Sequence, residues 1–208
     1  MRKLAILVTI VSLIAAATGA IAHNGVAHSR NGSSTVDPNA PAVQIGGPFT
    51  LVNGDGKTVT EKDFIGKYQI IFFGFTFCPD ICPTELQNIQ AALDIAGKDI
   101  ADKTQVILIS IDPERDTPAK MREYTRQFGD NIAGLTGTPE QIEAVARAFK
   151  IYYARSAETA DDEENYLMDH SSFVYFMNRD GKYLSVFRAG TDPKEMADTL
   201  TADIKAGR

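Results

Sequence analysis

The sequence predicts an α/β fold with a largely parallel central sheet, and two patterns carry this prediction. Residues 69–75 and 104–111 are continuous apolar runs, as is typical of strands buried on both faces of a sheet. A helical pattern follows each run, with apolar residues recurring at intervals of three and four. Strands that alternate with helices favour parallel pairing, because each crossover helix covers the sheet.

Turn and cap signals predict the elements around this centre. Residues 49–52 and 58–60 flank Asn53-Gly54-Asp55-Gly56, which predicts an N-terminal β-hairpin extension. The other predicted elements are, in order, helices at 84–97, 117–128 and 138–149, strands at 173–177 and 183–187 joined by residues 178–181, and a last helix opened by Asp192-Pro193. The late hairpin adds an antiparallel edge to the sheet.

The N-terminus indicates an exported protein. Residues 1–3 carry two positive charges, and residues 4–22 contain no charged side chain. Residues 1–22 therefore form either a signal peptide, cut after Ala20-Ile21-Ala22, or an uncut membrane anchor. Either interpretation leaves the rest periplasmic, soluble or tethered to the inner membrane. Residues 23–43, rich in Asn, Gly, Ser, Ala and Pro, predict a flexible linker, and residues 44–208 then form one domain.

The charge pattern excludes one class of partner. The chain carries a net charge of −6 and has no basic patch interleaved with aromatic residues, so no nucleic acid is expected as a partner. The acidic run at residues 158–164 predicts a solvated loop.

The chemistry of the chain is expected at its two cysteines, Cys78 and Cys82, which follow the first buried strand directly. An exported domain of this size needs no disulfide for stability, so the pair is expected to have a chemical rather than a structural role. Pro83 predicts a helix starting there with Cys82 as its N-cap, which places both sulfurs near a helix N-terminus, where thiolate is favoured. Such a pair either closes a disulfide or offers two soft ligands to Cu(I) or Zn(II).

A third metal ligand is expected at His170, the only histidine of the predicted domain. A strand, a Cys-containing turn and a helix are also the layout of thioredoxin-like proteins, in which the loop before the next strand faces the cysteines. His170 lies in that loop, where thioredoxins carry a cis-proline and this chain has no proline. Asp169 is expected either to orient the imidazole or to cap a turn, and Met168 to pack.

Two further histidines, His23 and His28, lie in the predicted linker. If cleavage follows Ala22, the free α-amine and imidazole of His23 form a Cu(II) chelator to which His28 adds a nitrogen.

Three motifs in order resemble the Sco (SenC) family over about residues 46–204. They are Phe75-Thr76-Phe77-Cys78-Pro79-Asp80-Ile81-Cys82-Pro83, Ser110-Ile111-Asp112-Pro113-Glu114-Arg115-Asp116-Thr117-Pro118, and Asp169-His170-Ser171-Ser172 followed by Asn178-Arg179-Asp180-Gly181. The resemblance implies a thioredoxin-like three-layer fold with a central mixed sheet. It also implies that Cys78, Cys82 and His170 bind copper, either as Cu(I) alone or in both the Cu(I) and Cu(II) states.

The resemblance further implies a metallochaperone rather than an enzyme. Such a protein delivers copper to the binuclear copper site of cytochrome c oxidase during assembly. The implied partners are the copper-site subunit of the oxidase, other copper chaperones or thioredoxin-like reductants, and the membrane if the leader stays uncut.

Two enzymatic interpretations stay open. A periplasmic thiol–disulfide oxidoreductase would use Cys78 and Cys82 as catalytic residues to reduce cysteines of the oxidase subunit. A peroxiredoxin-type peroxidase would need a Thr and an Arg beside its cysteine, and only Thr76 stands near. Residues 112–116 are interpreted as a Pro-stiffened turn outside the ligand set.

Overall fold

The computed structural model describes residues 44–159 and 161–208. Its strands are β1 (Thr50–Asn53), β2 (Thr58–Thr60), β3 (Tyr68–Gly74), β4 (Thr104–Ser110), β5 (Ile132–Thr136), β6 (Tyr153–Arg155), β7 (Met168–His170), β8 (Phe173–Met177) and β9 (Tyr183–Arg188). Its α-helices are α1 (Ile81–Ala96), α2 (Lys98–Ala101), α3 (Pro118–Arg126), α4 (Pro139–Phe149) and α5 (Pro193–Lys205), and a 3₁₀ helix spans Glu61–Phe64. The predicted leader at 1–22 and linker at 23–43 lie outside these residues.

Seven strands form one mixed sheet in the order β2-β1-β5-β4-β3-β8-β9. Strands β3, β4 and β5 are parallel to one another, whereas β1, β8 and β9 join by antiparallel pairing. Every residue of β3 is buried, as its apolar run predicts for a central strand. The predicted α/β class, the thioredoxin-like mixed sheet and the N-terminal hairpin are confirmed.

Helix caps follow the sequence signals closely. Thr138 caps α4 through a capping box with Gln141, and Thr117 accepts the amide hydrogen of Lys120 at the start of α3. Both helices begin with proline at their first position, where the missing N–H has no intrahelical partner in any case. Within residues 44–159 and 161–208, no helix has the length and apolar character needed to cross a membrane.

The start of α1 differs from the prediction. The helix begins at Ile81 with Asp80 before it, so Cys82 lies inside the first turn and is not the N-cap. Pro83 is tolerated there because amide groups of a first turn have no intrahelical acceptor. The helix therefore starts between the two cysteines.

Two β elements were missing from the predicted order. Strand β5 contains Gly134, whose Cβ position would lie 3.0 Å from the carbonyl oxygen of Met121 on α3, so a larger residue would crowd the helix backbone. Close helix packing thus dictates a glycine that weakens the strand signal in the sequence. The second element is a separate two-stranded ribbon of β6 and β7, in which His170 pairs with Tyr153. Its strands are too short to show alternation.

Candidate functional site

The two cysteines lie where β3 ends and α1 begins. Cys82 is completely buried, whereas Cys78 is partly exposed on the loop before the helix, and both are free thiols. A Cβ atom on Gly74, the last residue of β3, would lie 2.9 Å from the sulfur of Cys82. Glycine at this strand end therefore makes room for the buried sulfur.

His170 meets Cys82 although the two are distant in sequence. Its Nε2 atom lies 4.0 Å from the sulfur of Cys82, and its ring sits edge-on to Phe72 and Phe75 with centroids 6.3 Å away in each case. The Nδ1 atom lies 3.2 Å from the carbonyl oxygen of Ser171. A carbonyl only accepts, so this contact assigns the proton to Nδ1 and leaves the lone pair of Nε2 facing the sulfur.

The ring is oriented by backbone and not by its acidic neighbour. The Ser171 carbonyl contacts Nδ1, whereas the Asp169 side chain is exposed on β7. Met168 packs against the hydrophobic core, as expected. A backbone carbonyl that fixes the tautomer is a common arrangement behind metal-binding histidines.

The spacing of Cys82 and His170 suits two ligands of one ion. In zinc sites a thiolate sulfur and an imidazole nitrogen lie about 2.3 Å and about 2.0 Å from the metal, which places the two ligand atoms roughly 3.5 Å apart. The observed 4.0 Å is close to this value. Cys78 instead faces the amide of Cys82, and the described part of the chain holds no group of three His, Cys, Asp or Glu arranged for a metal ion.

The two thiols have opposite electrostatic surroundings. Hydrogen bonds from the Cys82 thiol and from the backbone amides of Asp80, Cys82 and Ile81 lower the pKa of Cys78 to about 6. The same thiol–thiol hydrogen bond, together with burial, raises the pKa of Cys82. Burial lowers the pKa of His170 and favours the neutral imidazole. At neutral pH the site thus holds one thiolate, one thiol and one neutral imidazole.

The buried carboxylate of Asp116 holds the start of the cysteine loop through hydrogen bonds. It accepts hydrogen bonds from the Thr76 hydroxyl at 2.6 Å, from the Thr76 amide at 3.1 Å and from the Ser110 hydroxyl at 2.6 Å. Thr76 is therefore engaged with Asp116. The sequence reasoning left residues 112–116 out of the site, although their place after a parallel strand could have signalled this role.

The chain is similar to known proteins over most of its length. Residues 37–205 match the family model SCO1/SenC. The Arabidopsis thaliana protein SCO1 homolog 1, mitochondrial, is 40% identical over 171 residues, which are 82% of this chain and 50% of that protein. The chain thus spans about half the length of that relative.

Two solved structures extend the comparison. ScoI of Bradyrhizobium japonicum with copper bound is 44% identical, with a TM-score of 0.68, covering 76% of this chain and 98% of that one. BsSco, described as a member of the Sco family of cytochrome c oxidase assembly proteins with a disulfide switch, is 28% identical, with a TM-score of 0.59, covering 80% and 95%. Residues 23 and 28, the two other histidines, lie outside the described part of the chain.

Proposed function

The chain belongs to the SCO1/SenC family, and from this premise we propose that it is a copper metallochaperone for cytochrome c oxidase. It holds one copper ion with Cys78, Cys82 and His170 and delivers the ion to the binuclear copper site during assembly of the oxidase. Copper-bound and oxidase-assembly relatives support this proposal.

One observation carries the ligand set. The 4.0 Å approach of Cys82 sulfur to His170 Nε2 joins residues that are 88 positions apart, and the lone pair of the imidazole faces the sulfur. Thiolate sulfur and imidazole nitrogen together suit a soft or borderline ion such as copper. Cys78, on the loop directly before α1, supplies the second sulfur.

The exposure of the ligands suggests how the ion leaves. Cys82 is buried, and Cys78 is the partly exposed sulfur of the pair. An incoming thiolate of the recipient therefore displaces Cys78 first, while Cys82 and His170 still hold the ion. Because Cu(I) accepts low coordination numbers, each exchange proceeds without a bare ion.

Anaerobic Cu(I) titration of the reduced protein, with X-ray absorption, tests the ligand set. We expect one ion with two sulfurs and one nitrogen, loss of binding in the double variant Cys78→Ala with Cys82→Ala, and loss of the nitrogen in His170→Ala. The double variant His23→Ala with His28→Ala is the matched control and keeps the full set. Undiminished Cu(I) stoichiometry and affinity in the double cysteine variant contradicts the proposal.

A thiol–disulfide oxidoreductase is the second candidate, favoured by the asymmetry of the thiols. The Cys78 thiolate attacks a disulfide of the recipient and forms a mixed disulfide while one recipient thiolate leaves. Cys82 then loses its proton and attacks the Cys78 sulfur, which releases the second recipient thiolate. The protein is left with a Cys78–Cys82 disulfide that a dithiol reductant must reduce. BsSco, with its disulfide switch, supports this alternative.

His170→Ala separates the two functions. A metallochaperone loses the copper nitrogen in this variant, whereas thiol exchange with a model disulfide continues. If wild-type protein exchanges thiols fast enough for repeated turnover, the oxidoreductase becomes the better description.

We also propose that the domain acts in the periplasm, free or tethered through residues 1–22. Intact-mass measurement on the exported protein decides between cleavage after Ala22 and an uncut anchor. Only a cleaved chain exposes the α-amine of His23, so the same measurement decides whether an N-terminal Cu(II) chelate can form.

A further inference from the structure

The proposed ligands lie on two separate pieces of structure. The cysteines follow β3 of the main sheet, whereas His170 ends β7 in the ribbon with β6, which has its own hydrogen-bond ladder. Residues 171–172 connect His170 to β8, which pairs with β3. Contacts that join the ribbon to the cysteine loop add a second link, which further fixes the distance between Cys82 and His170.

Arg115 makes such contacts from the loop after β4. Its guanidinium carbon lies 3.5 Å from the ring centroid of Tyr166 and 4.5 Å from that of Phe77. Phe77 immediately precedes Cys78, and Tyr166 lies four residues before His170. One planar cation is thus stacked against an aromatic ring on each side of the site.

Hydrogen bonds hold this cation in place. The Nε atom of Arg115 donates to Oδ2 of Asp112 at 2.6 Å, and the Tyr166 hydroxyl donates to Oδ1 of the same carboxylate at 2.6 Å. The Nη1 atom donates to the carbonyl oxygen of Glu164 at 3.1 Å. Because the side chains of Arg115 and Asp112 are only 11% and 3% exposed, water screens this ion pair little.

The segment carrying Tyr166 is also held from its other side. Arg155 on β6 stacks on the Tyr166 ring at 3.9 Å and pairs with Glu114 of the same loop after β4. Tyr166 is therefore enclosed between two guanidinium groups and is only 2% exposed.

We propose that Arg115 is a positioning residue for the copper site, which couples the histidine ribbon to the cysteine loop and so sets the Cys82–His170 distance. This inference rests on the proposed function but assigns Arg115 no contact with copper. Arginine is required because two aromatic contacts and separate hydrogen bonds from Nε to Asp112 and from Nη1 to the Glu164 carbonyl need a planar, permanently charged group. Lysine does not provide such a group.

The test compares full-length Arg115→Met, Arg115→Lys and Arg122→Met. Arg122 pairs with Asp55 at side-chain exposures of 43% and 59%, so its replacement removes the same guanidinium charge from a solvent-exposed ion pair and is the charge-matched control. Two quantities are measured: hydrogen exchange of residues 164–170 in the copper-free protein, and the sulfur and nitrogen count with Cu(I) bound. Exchange does not depend on copper.

We expect Arg115→Met to exchange faster at residues 164–170, to keep two sulfurs and to lose the nitrogen, with copper affinity falling roughly 10- to 100-fold, as for other residues that orient metal ligands. Arg115→Lys should lie between it and wild type, and Arg122→Met should match wild type. If Arg115→Met only destabilised the fold as a whole, sulfur and nitrogen ligation of copper would weaken together.

If Arg115→Met shows the same hydrogen exchange at residues 164–170 and the same sulfur and nitrogen count as wild type, the inference is overturned. If that variant does not fold, Arg115→Lys decides, and its equality with wild type in both measurements overturns the inference equally. If wild-type protein itself shows no nitrogen ligand, the proposed function fails, whereas the exchange measurement still decides whether Arg115 couples the ribbon to the loop.

Discussion

The backbone N–H of Cys82 donates a hydrogen bond to the sulfur of Cys78, with 3.3 Å between nitrogen and sulfur. This bond, with the Cys82 thiol and two further amides near the start of α1, stabilises negative charge on Cys78. Cys82, buried beside that charge, has a raised pKa. The two sulfurs are therefore chemically different although they are only four residues apart, one on the loop before α1 and one in its first turn.

Alkylation should report this difference directly. We expect iodoacetamide to modify Cys78 with a midpoint near its pKa of about 6, while Cys82 stays unmodified because it is buried. In Cys82→Ala the midpoint should move upward, since the thiol that donates to Cys78 is gone. Peptide mass spectrometry after short pulses at several pH values measures both. Earlier modification of Cys82 than of Cys78 would contradict this assignment.

Copper binding should release a number of protons that depends on pH. At pH 7.5 Cys78 is already a thiolate, so binding removes the Cys82 proton and about one proton is released per ion. Near pH 5, below the Cys78 pKa of about 6, Cys78 must also lose a proton, so the number should rise by nearly one. An anaerobic pH-stat titration with a Cu(I) salt counts these protons, and a constant value of two at both pH values would refute the asymmetry.

Two hydroxyl donors to Asp116 can be removed one at a time, which distinguishes a role of Asp116 in holding the cysteine loop from a role in the stability of the whole domain. Thr76→Val and Ser110→Ala each remove one hydroxyl that donates to this buried carboxylate, so each should lower the free energy of unfolding by about 1–3 kcal/mol. Only Thr76 lies on the cysteine loop. We therefore expect Thr76→Val, and not Ser110→Ala, to change the alkylation rate of Cys78.

Urea unfolding gives the stabilities of these two variants, and the alkylation assay gives the rates. Equal rates in both variants, at similar loss of stability, would show that Asp116 supports the fold without holding the loop.

The sequence predicted best what depends on local pattern. The buried strands β3 and β4 were recognisable because an uninterrupted apolar run fills the centre of each, residues 70–73 and 106–109. Helices α3 and α4 were recognisable because Thr117 and Thr138 cap them beside prolines. The approach of His170 to Cys82 agrees with the expectation drawn from the thioredoxin-like order of elements.

Contacts between distant loops were not predictable in the same way. Asp116 binds Thr76 across 40 residues, and Arg115 is stacked between Phe77 and Tyr166, whose separation in sequence is far larger than any local pattern covers. Charged residues in a Pro-containing loop predict only a solvated turn. Asp112 is buried and Arg115 is largely buried because the segment after β6 places Tyr166 against them. That segment has no sequence periodicity that predicts its path.

Glu85 provides a test of buried charge one turn along α1 from Cys82. It is only 1% exposed, and its Oε2 atom accepts the amide hydrogen of Gly190 at 2.7 Å, whereas its Oε1 atom has no hydrogen-bond partner among the described residues. Burial raises the pKa of this carboxyl above its ordinary value of 4.5. The folded protein therefore binds this proton more tightly than the unfolded chain does, so ionised Glu85 lowers stability at pH 7.

Glu85→Gln should accordingly raise the free energy of unfolding at pH 7, because the amide oxygen still accepts from Gly190 and no charge is buried. The advantage should shrink as the pH falls toward about 4.5, where wild-type Glu85 gains its proton in the folded state first. Urea unfolding at pH 7 and pH 5 measures both values, with Glu123→Gln on the exposed face of α3 as the matched control. A constant difference between Glu85→Gln and wild type at the two pH values would show that Glu85 does not titrate on folding, since only a proton taken up in the folded state makes that difference depend on pH.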